Sequence, residues 1–150
     1  MKILMLTPYL PYPPSTGGHV RSYNLIKKLS GGHDITLVCF TREHNTKAQV
    51  QHMEKFCKKV IVFERGSAWT VQNITRTAFS PYPFLVMNYY RPDIKRILTL
   101  DLNKGNYDLV HVETFYVMPY LPETRLPTVL VEQTIMSRVF GHYVETEKRW

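Results

Sequence analysis

The sequence is poor in cysteine and has no long apolar run. Cys39 and Cys57 are its two cysteines in 150 residues, and they predict reduced thiols rather than a disulfide scaffold. No stretch approaches the ~18 consecutive apolar residues of a membrane-spanning helix. Pro8 interrupts the apolar N-terminus, which argues against a signal peptide. We therefore expect a globular, cytoplasmic domain.

Three motifs that would indicate particular cofactors are absent. The sequence lacks the G-x-G-x-x-G fingerprint of nicotinamide dinucleotide sites and the G-x-x-x-x-G-K-[ST] loop of nucleoside triphosphatases. His-x-Glu occurs at residues 111–113, but the P-C-x-x-C half of the zinc deaminase signature does not. With two widely separated cysteines, we expect no metal site and no cofactor.

The positive charge is concentrated in the first two thirds of the chain. Residues 1–104 carry 15 lysines and arginines against 6 acidic residues, whereas residues 105–150 carry 4 against 6. A basic segment suits a polyanion, an anionic membrane surface or a phosphorylated substrate. The charge alone does not choose among these partners.

Strand-like and helix-like segments alternate along the chain. This order predicts an α/β fold, a Rossmann-like doubly wound parallel sheet with strand order 3-2-1-4-5 and helices on both faces. Gly31 is expected to form a left-handed cap after the first helix. The predicted strands are Lys2–Thr7, Asp34–Phe40, Lys59–Glu64, Tyr107–Val112 and Pro127–Val131. The predicted helices are His19–Ser30, Thr46–Lys58, Pro92–Asn103 and Thr134–Trp150, and residues 65–90 are expected to hold a helix broken at residues 80–83.

The strand order predicts a ligand crevice between the carboxyl ends of the first and fourth strands, framed by residues 8–18 and 111–118. Gly17 and Gly18 directly precede a helix whose free N–H groups suit a phosphate or carboxylate. His19 and Arg21 could add hydrogen-bond donors. The alternative is that the two glycines only make a tight turn.

Candidate catalytic groups lie at the end of the fourth strand and directly after the fifth. His111 and Glu113 are two residues apart, so their side chains are expected on the same face. Such a pair can orient an acceptor hydroxyl, accept its proton or stabilise positive charge; the alternative is a structural histidine and a solvated carboxylate. Glu132 could also reach the crevice, or it could only complement the dipole of the following helix.

An aromatic and basic segment lies between the third and fourth strands. It could contact a membrane interface or nucleic-acid bases, although packing against the sheet is favoured. Its aromatic members are Tyr82, Phe84, Tyr89 and Tyr90, and its flanking cations are Arg76, Arg91, Lys95 and Arg96.

Several of these segments together resemble the N-terminal domain of a family-4 retaining glycosyltransferase of the GT-B fold. The similarity runs over essentially the whole chain. The segments that carry it are KILMLTP at 2–8, the proline-rich loop ending in Gly17-Gly18, VRSYNLIKKL at 20–29, YDLVHVE at 107–113, Leu121-Pro122 and PTVLVEQ at 127–133.

The resemblance implies transfer of a sugar, with retention, from a nucleotide-sugar donor to the hydroxyl of a sugar or lipid-linked acceptor. Residues 1–150 would form the acceptor-binding domain, with Gly17 and Gly18 near the donor phosphates. The C-terminal donor-binding domain is absent from this chain, which we therefore expect to be inactive alone. No nucleic-acid partner is expected, and peripheral contact with the inner face of an anionic membrane is left open.

One position departs from the family pattern. Many relatives carry His-x-His after the fourth strand, whereas this sequence has Glu113 at the second position. Either Glu113 faces the acceptor hydroxyl in place of that histidine, or the catalytic residue lies elsewhere.

Two other functions compete with this one. The chain could be a non-catalytic basic module that binds anionic lipid or another polyanion. It could also be a flavodoxin-like or receiver domain, but a receiver needs aspartates at its strand ends, where the first strand has Thr7-Pro8.

Overall fold

The computed structural model describes residues 1–66, 70–132 and 135–146. Its strands are β1 (Lys2–Thr7), β2 (Asp34–Thr41), β3 (Lys59–Glu64), β4 (Leu109–Glu113) and β5 (Thr128–Val131). Its α-helices are α1 (Gly17–Leu29), α2 (Lys47–Met53), α3 (Val71–Ala78), α4 (Phe84–Met87), α5 (Pro92–Gly105) and α6 (Met136–Thr146), and a 3-10 helix spans Phe115–Tyr120. None of the helices in these ranges combines the length and apolar content needed to traverse a bilayer.

The five strands form a single sheet in the order β3-β2-β1-β4-β5, and every neighbouring pair is parallel. The predicted fold class and strand order are therefore confirmed. Parallel neighbours need crossover connections, and helices between successive strands provide them. The chain first runs outward from β1 to β3 and then returns to place β4 on the other side of β1. The switch point of the sheet therefore lies between the carboxyl ends of β1 and β4.

Alternate residues of the central strands pack into two separate cores. Leu4 and Leu6 point to the face covered by α5 and the 3-10 helix, whereas Met5 points to the face covered by α1 and α2. Cys39 and Cys57 belong to the second core, and burial raises the pKa of both thiols, that of Cys57 to about 12. Both are free thiols, as predicted, and they contribute as small apolar groups.

The helix ends differ from the predicted ones in a way that the backbone explains. Helix α1 begins at Gly17, two residues earlier than predicted, since Thr16 caps it by accepting a hydrogen bond from the His19 N–H. The predicted left-handed cap at Gly31 is wrong, because Ser30 ends the helix in a right-handed conformation and no described glycine has a positive φ. The left-handed cap occurs instead after α5, at Asn106, with φ 47°.

The segment between β3 and β4 folds as predicted, as helix interrupted near its prolines. Helix α3 ends at Ala78 and the four-residue α4 begins after Pro83. Tyr89 and Tyr90 pack against Phe40 and Tyr120 of the core, which confirms packing for these two aromatics. Phe79 and Tyr82 remain exposed. Part of the predicted last helix, at 134 and 147–150, lies outside the described residues.

Candidate functional site

Strand β4 places two candidate catalytic side chains on the face that α1 covers. His111 is paired in register with Met5 of β1, and Glu113 follows two residues later on the same face. The His111 Nε2 atom lies 2.9 Å from Oε1 of Glu113. The Glu113 side chain is completely buried, whereas 11% of the His111 side chain is exposed. The two side chains therefore lie on the same face of the sheet, as predicted, and His111 keeps a small exposed fraction while Glu113 has none.

Arg21 of α1 completes the cluster. Its Nη1 atom donates to both oxygens of Glu113, at 2.5 and 2.7 Å. A buried carboxylate is costly unless a cation and hydrogen bonds compensate it. Arg21 provides the cation, and Arg21 and His111 provide the hydrogen bonds. Arg21 was predicted to bind substrate or phosphate, and 42% of its side chain remains exposed for such a contact.

The contacts determine which nitrogen of His111 can accept a proton. An ionised carboxylate only accepts hydrogen bonds, so the Glu113 contact favours the proton on Nε2. The Nδ1 atom is then the basic nitrogen, and among the described residues it has no hydrogen-bond partner. A carboxylate that orients an imidazole in this way prepares it to accept a hydrogen bond from a substrate hydroxyl.

The N-terminus of α1 is open. A Cβ atom added to Gly17 would meet no atom within 4 Å, and neither Gly17 nor Gly18 has a positive φ. The backbone conformation therefore does not require glycine at these positions, which weakens the tight-turn explanation. Nearby, His19 Nδ1 shares a hydrogen bond with the Thr16 hydroxyl and its ring packs against the Tyr9 ring, and burial lowers the pKa of His19.

Glu132 has a structural contact that the sequence did not predict. Its carboxylate accepts a hydrogen bond from the Phe115 N–H at 2.5 Å, and Thr114 N–H donates to the Val131 carbonyl. These bonds tie the turn after β4 to the end of β5. Thr114 has a φ of 74°, which is costly for a β-branched residue and is found mostly near functional sites.

A cleft of about 320 Å³ opens at the carboxyl ends of β1, β2 and β3. His19 is among its lining residues, whereas Arg21, His111 and Glu113 are not. The loop after β1 forms one wall of this cleft, as expected for the predicted crevice. The other wall comes from the ends of β2 and β3, whereas residues 111–118 were predicted to form it. The lining residues are Pro8, Tyr9, Leu10, Tyr12, Pro13, Ser15, His19, Phe40, Thr41, Arg42, Glu43 and Arg65.

Sequence reasoning missed the role of Arg42 and Arg65 in this cleft. Each follows directly on a strand, Arg42 after β2 and Arg65 after β3. Parallel strands have their carboxyl ends at one edge of the sheet, where ligands bind. The position of each arginine directly after a strand could therefore have predicted that both lie at this edge.

The comparisons with known proteins give few matches. No family model matches the chain. The chain is 29% identical over 129 residues to an "Uncharacterized 44.6 kDa protein in cps region" of Klebsiella pneumoniae, covering 83% of this chain and 30% of that protein. A crystal structure described as the "Glycotransferase of kitacinnamycin" aligns with a TM-score of 0.43 and 14% identity, over 99% of this chain and 36% of the other. The chain thus spans about a third of the length of both proteins.

Proposed function

We propose that the chain is the acceptor-binding domain of a glycosyltransferase, which transfers a sugar with retention from a nucleotide-sugar donor to an acceptor hydroxyl. The observation that carries the proposal is the hydrogen-bonded pair of His111, 11% of whose side chain is exposed, and the fully buried Glu113 at the carboxyl end of β4. The resemblance in the segments around Gly17-Gly18 and His111 supports the same assignment.

Each residue of the site has a distinct part in this proposal. His111 would receive a hydrogen bond from the acceptor hydroxyl through Nδ1. Glu113 would hold the imidazole in that orientation, because its full burial favours a positioning role over direct contact with substrate. Gly17 and Gly18 would let the donor phosphates approach the N–H groups of α1. Arg21 and Glu132 would contact the substrate through the parts of their side chains that remain exposed.

The proposed reaction does not need a strong general base from the protein. In the bound complex the acceptor hydroxyl would donate to Nδ1 of His111, and as the sugar–phosphate bond breaks its proton would pass to the leaving phosphate, so positioning and charge stabilisation would provide most of the rate enhancement. Most donor contacts would come from a second domain, and the present chain alone would not transfer sugar. No metal or other cofactor is part of the proposal.

Acceptor-dependent nucleotide release by the full-length protein tests the function. A panel of nucleotide sugars and acceptors identifies a productive pair, and His111→Ala should then reduce kcat by ~100-fold or more. His33→Ala, at the amino end of β2, is the matched control and should leave kcat unchanged. Absence of turnover with every pair, or full activity of His111→Ala, would refute the proposal.

A second function, contact with an anionic lipid surface, is favoured by α3. Val71 and Ile74 of α3 and Phe79, which directly follows the helix, expose 79%, 50% and 93% of their surface, and Arg76 lies among them. A helix end with a cation and exposed apolar groups suits a membrane interface.

Cosedimentation with vesicles tests this contact. The wild-type protein should bind vesicles that contain phosphatidylglycerol and not vesicles of phosphatidylcholine alone, and Phe79→Ser should weaken binding several-fold. Val144→Ser, on the exposed α6, serves as the control. Equal binding by both variants and the wild type would eliminate α3 as the contact.

A further inference from the structure

The cleft beside β2 and β3 contains more positive charge than the protein itself compensates. Arg42 and Arg65 both line it. The Arg65 side chain is half-buried and its guanidinium lies over the Tyr89 ring, 4.2 Å from the centroid. Among the described residues, neither arginine has a carboxylate within ion-pair distance. A half-buried cation without an anion is unfavourable. A negatively charged ligand in the cleft would remove this cost.

The electrostatic surroundings of Arg65 agree with this geometry. Burial lowers the pKa of Arg65 and repulsion from Arg42 lowers it further, while interaction with Tyr89 offsets part of the shift. Glu43 also lines the cleft and accepts a hydrogen bond from the neutral amide of Gln49, so the lining carries two arginines against one carboxylate. An anionic ligand placed between the two arginines would relieve their repulsion.

The rest of the cleft suits a polyhydroxylated ring. Its volume, about 320 Å³, is at the lower end of the ~300–1,000 Å³ typical of small-molecule sites. Tyr9, Tyr12 and Phe40 provide apolar walls. A second cavity of about 270 Å³ shares Phe40 and Arg65 with the first, and it is also lined by Asn88, whose buried Oδ1 atom has no hydrogen-bond partner in the described structure. A ligand hydroxyl could donate to that oxygen.

We propose that this cleft binds an anionic sugar, whose carboxylate or phosphate group is held by Arg42 and Arg65. The planar guanidinium matches either anion with two parallel hydrogen bonds. The cleft borders the α1 N-terminus through His19, so a sugar seated there lies next to the helix end at which the donor phosphates are proposed to bind. Its identification as the acceptor rests on the proposed function; the binding of the anion does not.

Titration of the protein with three sugars of the same ring type tests the inference. Glucuronate and glucose 6-phosphate carry the two anionic groups, and glucose carries neither. By NMR or calorimetry, at least one anionic sugar should bind at least tenfold more tightly than glucose, and the tighter of the two identifies the group. Equal affinity for all three would overturn the proposal.

Variants locate the site. Arg42→Ala should weaken binding of the anionic sugar about tenfold, and Arg65→Lys, which keeps the charge and loses the fork, should also weaken it. Arg125→Ala is the matched control, since Arg125 is exposed and outside the cleft lining. An equal loss in the Arg125→Ala variant would show nonspecific charge attraction and refute the site.

The two proposals fail separately. Binding of an anionic sugar that requires Arg42, in a protein without transferase activity, would remove the proposed function and leave the anion site. Transfer that requires His111 but is equally fast with neutral and anionic acceptors would support the proposed function and remove the anionic sugar as its acceptor.

Discussion

Arg21 and Glu113 are 92 positions apart in the chain, and a single guanidinium nitrogen of Arg21 lies 2.5 and 2.7 Å from the two carboxylate oxygens of Glu113. This contact fastens α1 to the end of β4. Since His111 is bonded to the same carboxylate, the position of the candidate catalytic imidazole depends on a residue in the first helix.

We expect Arg21→Ala to destabilise the protein by about 3 kcal/mol, because it leaves a buried carboxylate without its cation. Glu113→Gln should cost less, since the half-exposed Arg21 can be solvated and the amide oxygen still accepts a hydrogen bond. The double variant should be close to Glu113→Gln alone. Urea denaturation measures all three. Additive losses would contradict the pairing.

A matched exposed pair provides the comparison. Lys58 and Asp34 are also 2.5 Å apart, but 70% of the Lys58 side chain and 41% of the Asp34 side chain are exposed, so neither partner is buried as Glu113 is. Lys58→Ala should therefore have a much smaller effect than Arg21→Ala. A comparable effect would mean that the burial of Glu113 is not the source of the stabilisation.

Gly17→Ala separates a structural role of this glycine from a binding role. A Cβ atom has free space at Gly17 and the backbone is in an ordinary conformation, so the unfolding free energy should change by less than ~0.5 kcal/mol. If donor phosphates approach this backbone, kcat/KM of the full-length protein should fall by about tenfold or more. Gly31→Ala should alter neither quantity, and unaltered kinetics of Gly17→Ala would contradict the phosphate contact.

How far the sequence predicted the structure depended on the range of the interactions. The order of strands and helices follows from local patterns, and the period of two in β4 was enough to place His111 and Glu113 on one face. The ion pair with Arg21 was not predictable, because it depends on how α1 is rotated about its axis against the sheet. The end of α1 was misjudged because a glycine pair favours a left-handed cap without requiring one.

Stability should depend on pH through Asp101 and Tyr107. Burial alone would raise the pKa of Asp101, but hydrogen bonds from Lys59 and Tyr107 bring it below the usual value. Burial and the bond to Asp101 raise the pKa of Tyr107 to about 12. A lowered acidic pKa contributes stability that is lost as pH falls through it, and a raised tyrosine pKa contributes stability that is lost between pH 10 and about 12.

Tyr107→Phe isolates these contributions. Near pH 7 it should cost about 1–2 kcal/mol for the lost hydrogen bond to a charged acceptor. The difference from wild type should shrink both below pH 4 and above pH 10, as denaturation curves at a series of pH values would reveal. A difference that is constant across the whole range would show that neither group titrates with folding.

Gly105 is required for packing at the end of α5. A Cβ atom at this position would lie 2.2 Å from Cε2 of the Tyr107 ring, well inside van der Waals contact. The ring has little freedom to move, since its hydroxyl is bonded to Asp101 at 2.6 Å. Gly105→Ala should therefore destabilise the protein by about 1–3 kcal/mol, whereas Gly32→Ala, which meets no atom within 4 Å, should be close to neutral. Replacing Tyr107 with valine removes the ring, so Gly105→Ala should cost much less in that background. An undiminished cost there would trace the effect to the backbone of the helix end instead of the ring.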